Sequence, residues 1–315
     1  MTSFILRRAG MGALLVFLVL TLIFSAIRLI PGDPVELLLS SGNTSADPAT
    51  VARMREQLGL NGSLPMQYWN FLTGILTGDL GQSIRTGDAV ADSIAQRLPR
   101  TLELVIFATV ISMAVGIPLG AWAAAKGGFV DSVATVLTSL GVALPVYVLG
   151  TLLILVFSLT LGWFPAGGFT TWQQNPGRHF QLLILPAIAL SLGFTAIIAR
   201  MTRSAVLETM DQDWVRTATA FGHTPLKVFR RHVLRNSMTP VTTVIGLGFG
   251  TLLGSTVLAE RVFNYPGLSS LLVESVSNRD YAVVQGIVII IALLFILINI
   301  VVDVIYGLLD PRVRH

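Results

Sequence analysis

Few side chains in this sequence could do chemistry, and they are scattered. The two lysines, Lys126 and Lys227, both lie outside any Gly-Lys-Ser/Thr context, so no phosphate-cradling loop is encoded. Four histidines, His179, His223, His232 and His315, show no metal-ligand spacing. There are no cysteines, which excludes thiolate metal sites, iron–sulfur clusters, disulfides and cysteine nucleophiles. No Gly-x-Ser-x-Gly element is present. Within apolar runs, Glu103 lies near one end of its run and Asp303 near the end of the last, with Asn299 one turn earlier on the same face. An acid at membrane depth signals function by default, yet one isolated carboxylate is thin for a proton relay. Helix-end capping or pairing with an arginine is the plainer role. The expected chemistry is therefore recognition without bond breaking, and the chain reads as no enzyme. The segment that stands out is Asp213-Trp-Val-Arg-Thr-Ala-Thr-Ala-Phe-Gly222, a polar helical stretch between long apolar runs.

The elements that position it are membrane spans. The chain has 315 residues, is 53% hydrophobic and 12% charged, and its mean hydropathy is +0.75. A soluble domain would carry about twice that share of charge. Apolar runs near twenty residues recur, the length that crosses roughly 30 Å of hydrocarbon as helix. Transmembrane β-barrels alternate apolar and polar residues, and these runs do not. The expected fold is all-α and polytopic, with six transmembrane helices near Ala9–Ile30, Thr101–Ala125, Val133–Trp163, Leu182–Met201, Met238–Ala259 and Ala282–Leu309. The third and sixth are over-long and are expected to tilt or protrude. Pro118, Pro145 and Pro186 can kink spans two, three and four. Gly246, Gly250 and Gly254 recur every fourth residue in span five, a spacing that lets helices approach closely. Packing, within the chain or against a partner, is the plain reading of that stripe.

Lys and Arg in short loops set orientation. The net charge of +4 is a matter of topology here and implies no nucleic acid. One side holds Arg7, Arg8, Lys126, Arg200, Arg203, Arg216, Lys227, Arg230, Arg231, Arg235, Arg312 and Arg314; the short loops of the other hold Arg178, Arg261 and Arg279. Twelve against three places both termini in the cytoplasm. A signal peptide is the rival for residues 1–30, but the run is long and lacks a good small-x-small site, so it reads as a retained first helix.

Residues 31–100 form an extracytoplasmic segment. Asp47-Pro48 reads as N-cap and first helical residue, with Gly59 as the stop. A second amphipathic piece runs from Pro65 to about Thr77, with Tyr68, Leu72, Ile75 and Leu76 on one side. A third starts near Asp88 and ends before Pro99. These pieces form either a small outer cap or a surface loop packed on its own spans. On the other side, residues 199–237 make a basic cytoplasmic excursion. Asp211 or Asp213 is placed to cap a short helix whose apolar face carries Trp214, Val215, Ala218 and Phe221. Gly222 fits a left-handed stop, and Thr224-Pro225 restarts a helix. An aromatic face shown to the cytosol calls for a partner. The alternative is a helix lying on the lipid surface, with Lys227, Arg230, Arg231 and Arg235 facing anionic headgroups.

The segment resembles the cytoplasmic coupling loop of ABC-importer membrane subunits. Arg216-Thr217-Ala218 stands where that motif has Glu-Ala-Ala, followed by Thr219-Ala220-Phe221 and Gly222; the downstream hydrophobic-Leu-Pro element is absent. Further words are similar to the dipeptide/oligopeptide (peptide/nickel) permease branch. They are Arg7-Arg8, Pro31-Gly32-Asp33-Pro34, Gly78-Asp79-Leu80-Gly81, Ala199-Arg200-x-x-Arg203, Glu260-x-Val262-Phe263-Asn264-Tyr265-Pro266-Gly267-Leu268 and Asp310-Pro311-Arg312. Together they cover almost the whole chain and look like the first of two permeases in such importers.

The resemblance implies a type I ABC importer transmembrane fold over residues 97–306, following the first helix at 1–30 and ending in a cytoplasmic tail at 307–315. It implies a multi-pass protein of the bacterial inner membrane that imports di-/oligopeptides or a similar small polar solute. Its partners would be a second homologous permease subunit, two cytosolic ABC ATPase subunits, an extracytoplasmic solute-binding protein and membrane lipid. No cofactor would be bound by this chain, ATP-Mg belonging to the ATPases. The site it implies is the ATPase-coupling helix: Asp213, Trp214, Val215, Arg216, Thr217, Ala218, Ala220, Phe221 and Gly222, with Trp214, Val215 and Phe221 as apolar contacts and Arg216 as a polar one. Gly246, Gly250, Gly254, Asn299 and Asp303 are the secondary candidates, for helix packing or the pathway. The rival function is an ion-coupled secondary transporter, which predicts charged or unwound mid-span sites.

Overall fold

The computed structural model describes residues 2–28, 49, 51, 52, 55 and 61–309, with side chains described over 10–26, 49, 51, 52, 55 and 61–301. The Asp47-Pro48 start and the Gly59 stop lie outside the described residues. The described elements are helical throughout: α1 (Thr2–Arg28), α2 (Leu64–Thr77), α3 (Val90–Lys126), α4 (Gly128–Ala143), α5 (Val146–Leu153, continuing as a π-helical stretch Ile154–Thr160), α6 (Pro176–Met210), α7 (Asp213–Ala220), α8 (Pro225–Val228, continuing as a π turn Phe229–Val233), α9 (Leu234–Val262), α10 (Leu268–Ser277) and α11 (Tyr281–Leu309). Four helical stretches among these residues are long and apolar enough to cross a membrane, or five if the bent pair α4–α5 is one span. The apolar part of α1 with described side chains, Gly10–Ala26, is shorter.

Two compact units divide the chain: Met1–Leu6, Pro99–Ser270 and Leu297–His315 in one, Arg7–Leu98 and Leu271–Ile296 in the other. The first is organised around α6. Its core joins Leu104, Val105 and Ala108 of α3, Leu183, Ala187, Leu190, Phe194 and Ile198 of α6, and Val241, Leu252 and Leu253 of α9. Small residues set the helix spacing. A Cβ at Gly120 would stand 2.2 Å from the Ala199 carbonyl oxygen, so α3 and α6 touch backbone to backbone there. A Cβ at Gly248 would stand 2.0 Å from the Phe194 ring.

The third expected span is not one straight helix. α4 and α5 meet at 102°. Leu144 is extended (φ −83°, ψ 119°) because the ring of Pro145 disfavours the helical region in the residue before it, and Pro145, itself extended, is the N-cap of α5. By contrast, Pro118 and Pro186 lie inside α3 and α6.

In the second unit, α2 begins where Pro65 fixes the first turn and stops at Gly78 (φ 81°). The helix expected to start near Asp88 and end before Pro99 is not separate. It starts at Val90 and runs through Pro99 into the long span as α3. Burial on both sides of the proline, of Val90 and Ile94 before it and Thr101 and Leu104 after it, outweighs the lost backbone hydrogen bond. Buried Ser83 donates to Asp280 (2.5 Å), tying the 78–89 loop to the start of α11. A cavity of about 700 Å³ in this unit is lined by Phe71, Gly74, Asp79, Gln82, Gln285 and Ile289 among others.

Candidate coupling surface

The helix α7 starts after Gln212, which is extended (φ −74°, ψ 144°) and makes no side-chain cap. Neither Asp211 nor Asp213 is the N-cap residue: Asp211 ends α6, and Asp213 is the first residue of α7, where its charge suits the positive helix end. The stop is as expected. Gly222 adopts φ 84°, its N–H donates to the Thr219 carbonyl (3.0 Å), and that of His223 to the Ala218 carbonyl (3.4 Å). Thr224 is extended ahead of Pro225, and α8 begins there.

The faces of α7 divide differently from the expectation. Trp214, Val215 and Ala218 are half-buried inside the chain, against Ala124 of α3, Val206 of α6, Val228 of α8 and Val233 of the π turn. The Trp214 ring meets His232 edge-on (6.5 Å), and its Nε1 donates to Gln212 (2.5 Å). Three of the four apolar residues assigned to a displayed face therefore root the helix. Phe221, at 81% exposed, and Leu226, at 66%, carry the outward apolar surface. Around them Asp213, Arg216, Thr217, Ala220 and Gly222 are exposed. Arg216 pairs with Asp211 (3.2 Å) in water, a contact of little energetic weight. The base is firmer. Arg203 of α6 grips Asp131 of α4 through two hydrogen bonds, and Ser237 of α9 donates to Thr209 of α6 (3.0 Å).

The secondary candidates do not gather with α7. A Cβ at Gly254 would meet nothing within 4 Å, so Gly254 packs against no described part of the chain; close approach falls to Gly248. Gly246, Gly250 and Asn299 are half-buried, and the Asp303 side chain lies outside those described.

The sequence reading passed over two clusters. Glu260 stands one residue beyond the expected end of span five and is fully buried. It accepts from Thr101 Oγ1 (2.7 Å) and the Ser270 N–H (2.7 Å), while Thr101 Oγ1 accepts from the Leu268 N–H (2.7 Å). Gly267 makes room, since a Cβ there would stand 2.1 Å from the carboxylate. The signal was the Glu260-to-Leu268 word itself, whose acid lies one turn-and-loop ahead of the helix start it caps. Buried His179 lies 2.8 Å from Glu103 and 2.6 Å from the Thr170 carbonyl, and Trp172 Nε1 donates to the same Glu103 oxygen (2.9 Å). Nearby, burial first and then the Glu103 and Glu260 carboxylates push the Tyr265 phenol well above its ordinary range, so it stays neutral.

The helical fold is that of ABC-importer permeases. Known proteins bear this out. The chain belongs to the family of binding-protein-dependent transport system inner membrane components, whose model matches residues 116–315, with the family's N-terminal model matching 1–105. It is 39% identical over 316 residues, covering all of both chains, to a probable peptide ABC transporter permease of Sinorhizobium fredii. It is also 39% identical over 319 residues, again with full coverage, to a glutathione transport system permease of Salmonella choleraesuis. A putative peptide transport system permease of Brucella abortus is 40% identical over 316 residues, all of both chains. Among solved structures, the MetNI methionine ABC transporter in inward-facing conformations shares the fold (TM-score 0.56, 18% identity, 69% of this chain and 96% of that one). So does an amino acid ABC transporter (TM-score 0.52, 18% identity, 70% and 94%). The protein is a multi-pass inner-membrane permease of an ABC importer and not an enzyme. The family overturns the ion-coupled alternative. Nucleotide binding falls to partner ATPases.

Proposed function

We propose that the protein forms half of the translocation pathway of an importer for di-/oligopeptides or a similar small polar solute. It would work with a second homologous permease, two cytosolic ATPases and an extracytoplasmic binding protein. Its termini would both lie in the cytoplasm, α1 would be a sixth span, residues 31–100 would face outward, and residues 199–237 would face the ATPases. Asp213 to Gly222 would be the docking helix, with Phe221 and Leu226 entering an apolar groove, and Arg216, Thr217 and Ala220 at the rim. The names of the full-length relatives support the solute class. The observation that carries the docking is Phe221, 81% exposed at the tip of a helix whose root is packed. A large aromatic held rigidly in the open fits burial by a partner. ATP-driven closure of the ATPases would draw the helix with them and alternate the access of the pathway.

A lipid-lying α7 is the alternative, and one experiment separates the two. The chain has no cysteine, so a single one replacing Ala220 can carry a benzophenone photocrosslinker. In the assembled transporter it should capture an ATPase subunit; adducts with lipid alone would refute the docking.

A further inference from the structure

The fourteen-residue helix α2 lies outside the long spans, and residues 61–78 hold no Asp, Glu, Lys, Arg or His. Its three sides have different surroundings. One side carries Tyr68 and Phe71 onto α1. The Tyr68 hydroxyl shares a 2.7 Å hydrogen bond with that of Thr21, and the two rings sit 5.1 and 5.5 Å from Phe24. A second side, with Gln67, Asn70 and Gly74, lines the cavity of about 700 Å³. The third presents Met66, Trp69 and Leu76 outward, at 57, 64 and 86% exposed. The sequence grouped Leu76 with Tyr68, but Leu76 stands among the outward residues.

The contacts with α1 fix the depth of this helix. Residues 9–27 of α1 are uncharged, and Arg28 is the first charge on the outer side. Thr21 and Phe24 precede Arg28 by seven and four residues, which at helical rise is about 10 and 6 Å. Helices that lie in a bilayer interface bury their apolar faces to about that depth. At that level α1 itself presents Leu22 outward, and about a turn deeper Leu18. An uncharged helix held there, with an exposed tryptophan, suits the boundary between headgroups and acyl chains, where indole rings settle.

We propose that α2 lies in the outer-leaflet interface with Met66, Trp69 and Leu76 against lipid, so that it is neither a water-exposed cap nor a protein-docking face. This rests on the reading of α1 as a span with Arg28 on the outer side. The test uses the transporter assembled with cysteine-free partners in nanodiscs of phosphatidylethanolamine and phosphatidylglycerol. Nitroxides are attached to single cysteines, Trp69→Cys, Leu76→Cys, Leu22→Cys and Arg85→Cys. Collisions with oxygen and with a water-soluble nickel chelate are then measured. Positions 69 and 76 should be open to oxygen and shielded from nickel, as position 22 on α1 should be, while position 85 in the exposed loop collides with nickel. Nickel access at 69 and 76 with position 22 still shielded overturns the interfacial placement and leaves the α1 span standing. Nickel access at position 22 overturns the span reading and this proposal with it. Exclusion of both reagents at 69 and 76 marks a protein cover and also overturns it.

Discussion

Truncating Phe221 is the sharpest probe of the proposed coupling surface. In the isolated chain its side chain is 81% exposed, so docking can remove most of its apolar area from water. Full burial of a phenylalanine is worth roughly 1.5–3 kcal/mol, and about four-fifths of that remains available here, near 2 kcal/mol. Phe221→Ala should therefore weaken ATPase binding about thirtyfold, since every 1.4 kcal/mol is tenfold. Phe221→Asp should weaken it further, because a carboxylate would enter an apolar groove unpaired. The assay is a titration of purified ATPase subunits onto the permease pair in nanodiscs, read by fluorescence anisotropy, with uptake into proteoliposomes alongside. The thermal midpoint of the permease should not move, because Phe221 belongs to no buried cluster. Trp214→Ala is the opposite control: it removes a half-buried side chain from the root of α7 and should lower the thermal midpoint. An ATPase affinity within twofold of the parent for Phe221→Ala, with uptake intact, would refute the reasoning.

Gly222 holds φ 84°, so substitutions there should rank Asn above Ala above Pro in ATPase binding, with Ala costing about 1 kcal/mol of local strain. Titration of the same ATPase subunits onto each variant checks the order. Gly248→Ala would drive a methyl into the Phe194 ring and should destabilise the fold by about 1–3 kcal/mol, with Phe194→Leu restoring part of the loss in thermal melts. Glu260→Ala leaves the Ser270 N–H and the Thr101 hydroxyl without their acceptor, costing about 1–3 kcal/mol for each donor left unpaired. Protease resistance near Gly267 should fall in that variant, and Glu260→Gln should retain more of it than Glu260→Ala.

The sequence made legible whatever local chemistry decides. Apolar run lengths identified the long spans, and Gly222 and Thr224-Pro225 gave a stop and a restart that both occur where expected. What it could not show was which way a short amphipathic helix turns. The apolar side of α7 is the same whether it roots the helix or greets a partner; only Val206, Val228 and Val233, brought from other helices, settle that Trp214, Val215 and Ala218 face inward. The fourfold glycine spacing in α9 was a weak guide for the same reason. Phe194 lies opposite Gly248, and Gly254 opens outward. At Pro145 the helix breaks, while at Pro99 it continues, and run length and proline position alone do not distinguish the two. Glu260 and His179 read as ordinary polar residues because their partners, Thr101, Ser270 and Glu103, lie far away in sequence or across a turn.

The inward packing of α7 has a mechanical consequence. A knob hung from a loose loop would swing when pushed, and most of the stroke would be lost in slack. Here the stalk is wedged among residues of α3, α6, α8 and the π turn, and α6 is itself clamped to α4 by Arg203 and Asp131 and to α9 by Ser237 and Thr209. If the helix docks as proposed, thrust applied at Phe221 would travel as a displacement of whole helices, and stiffness at this joint would set how much of each stroke reached the membrane.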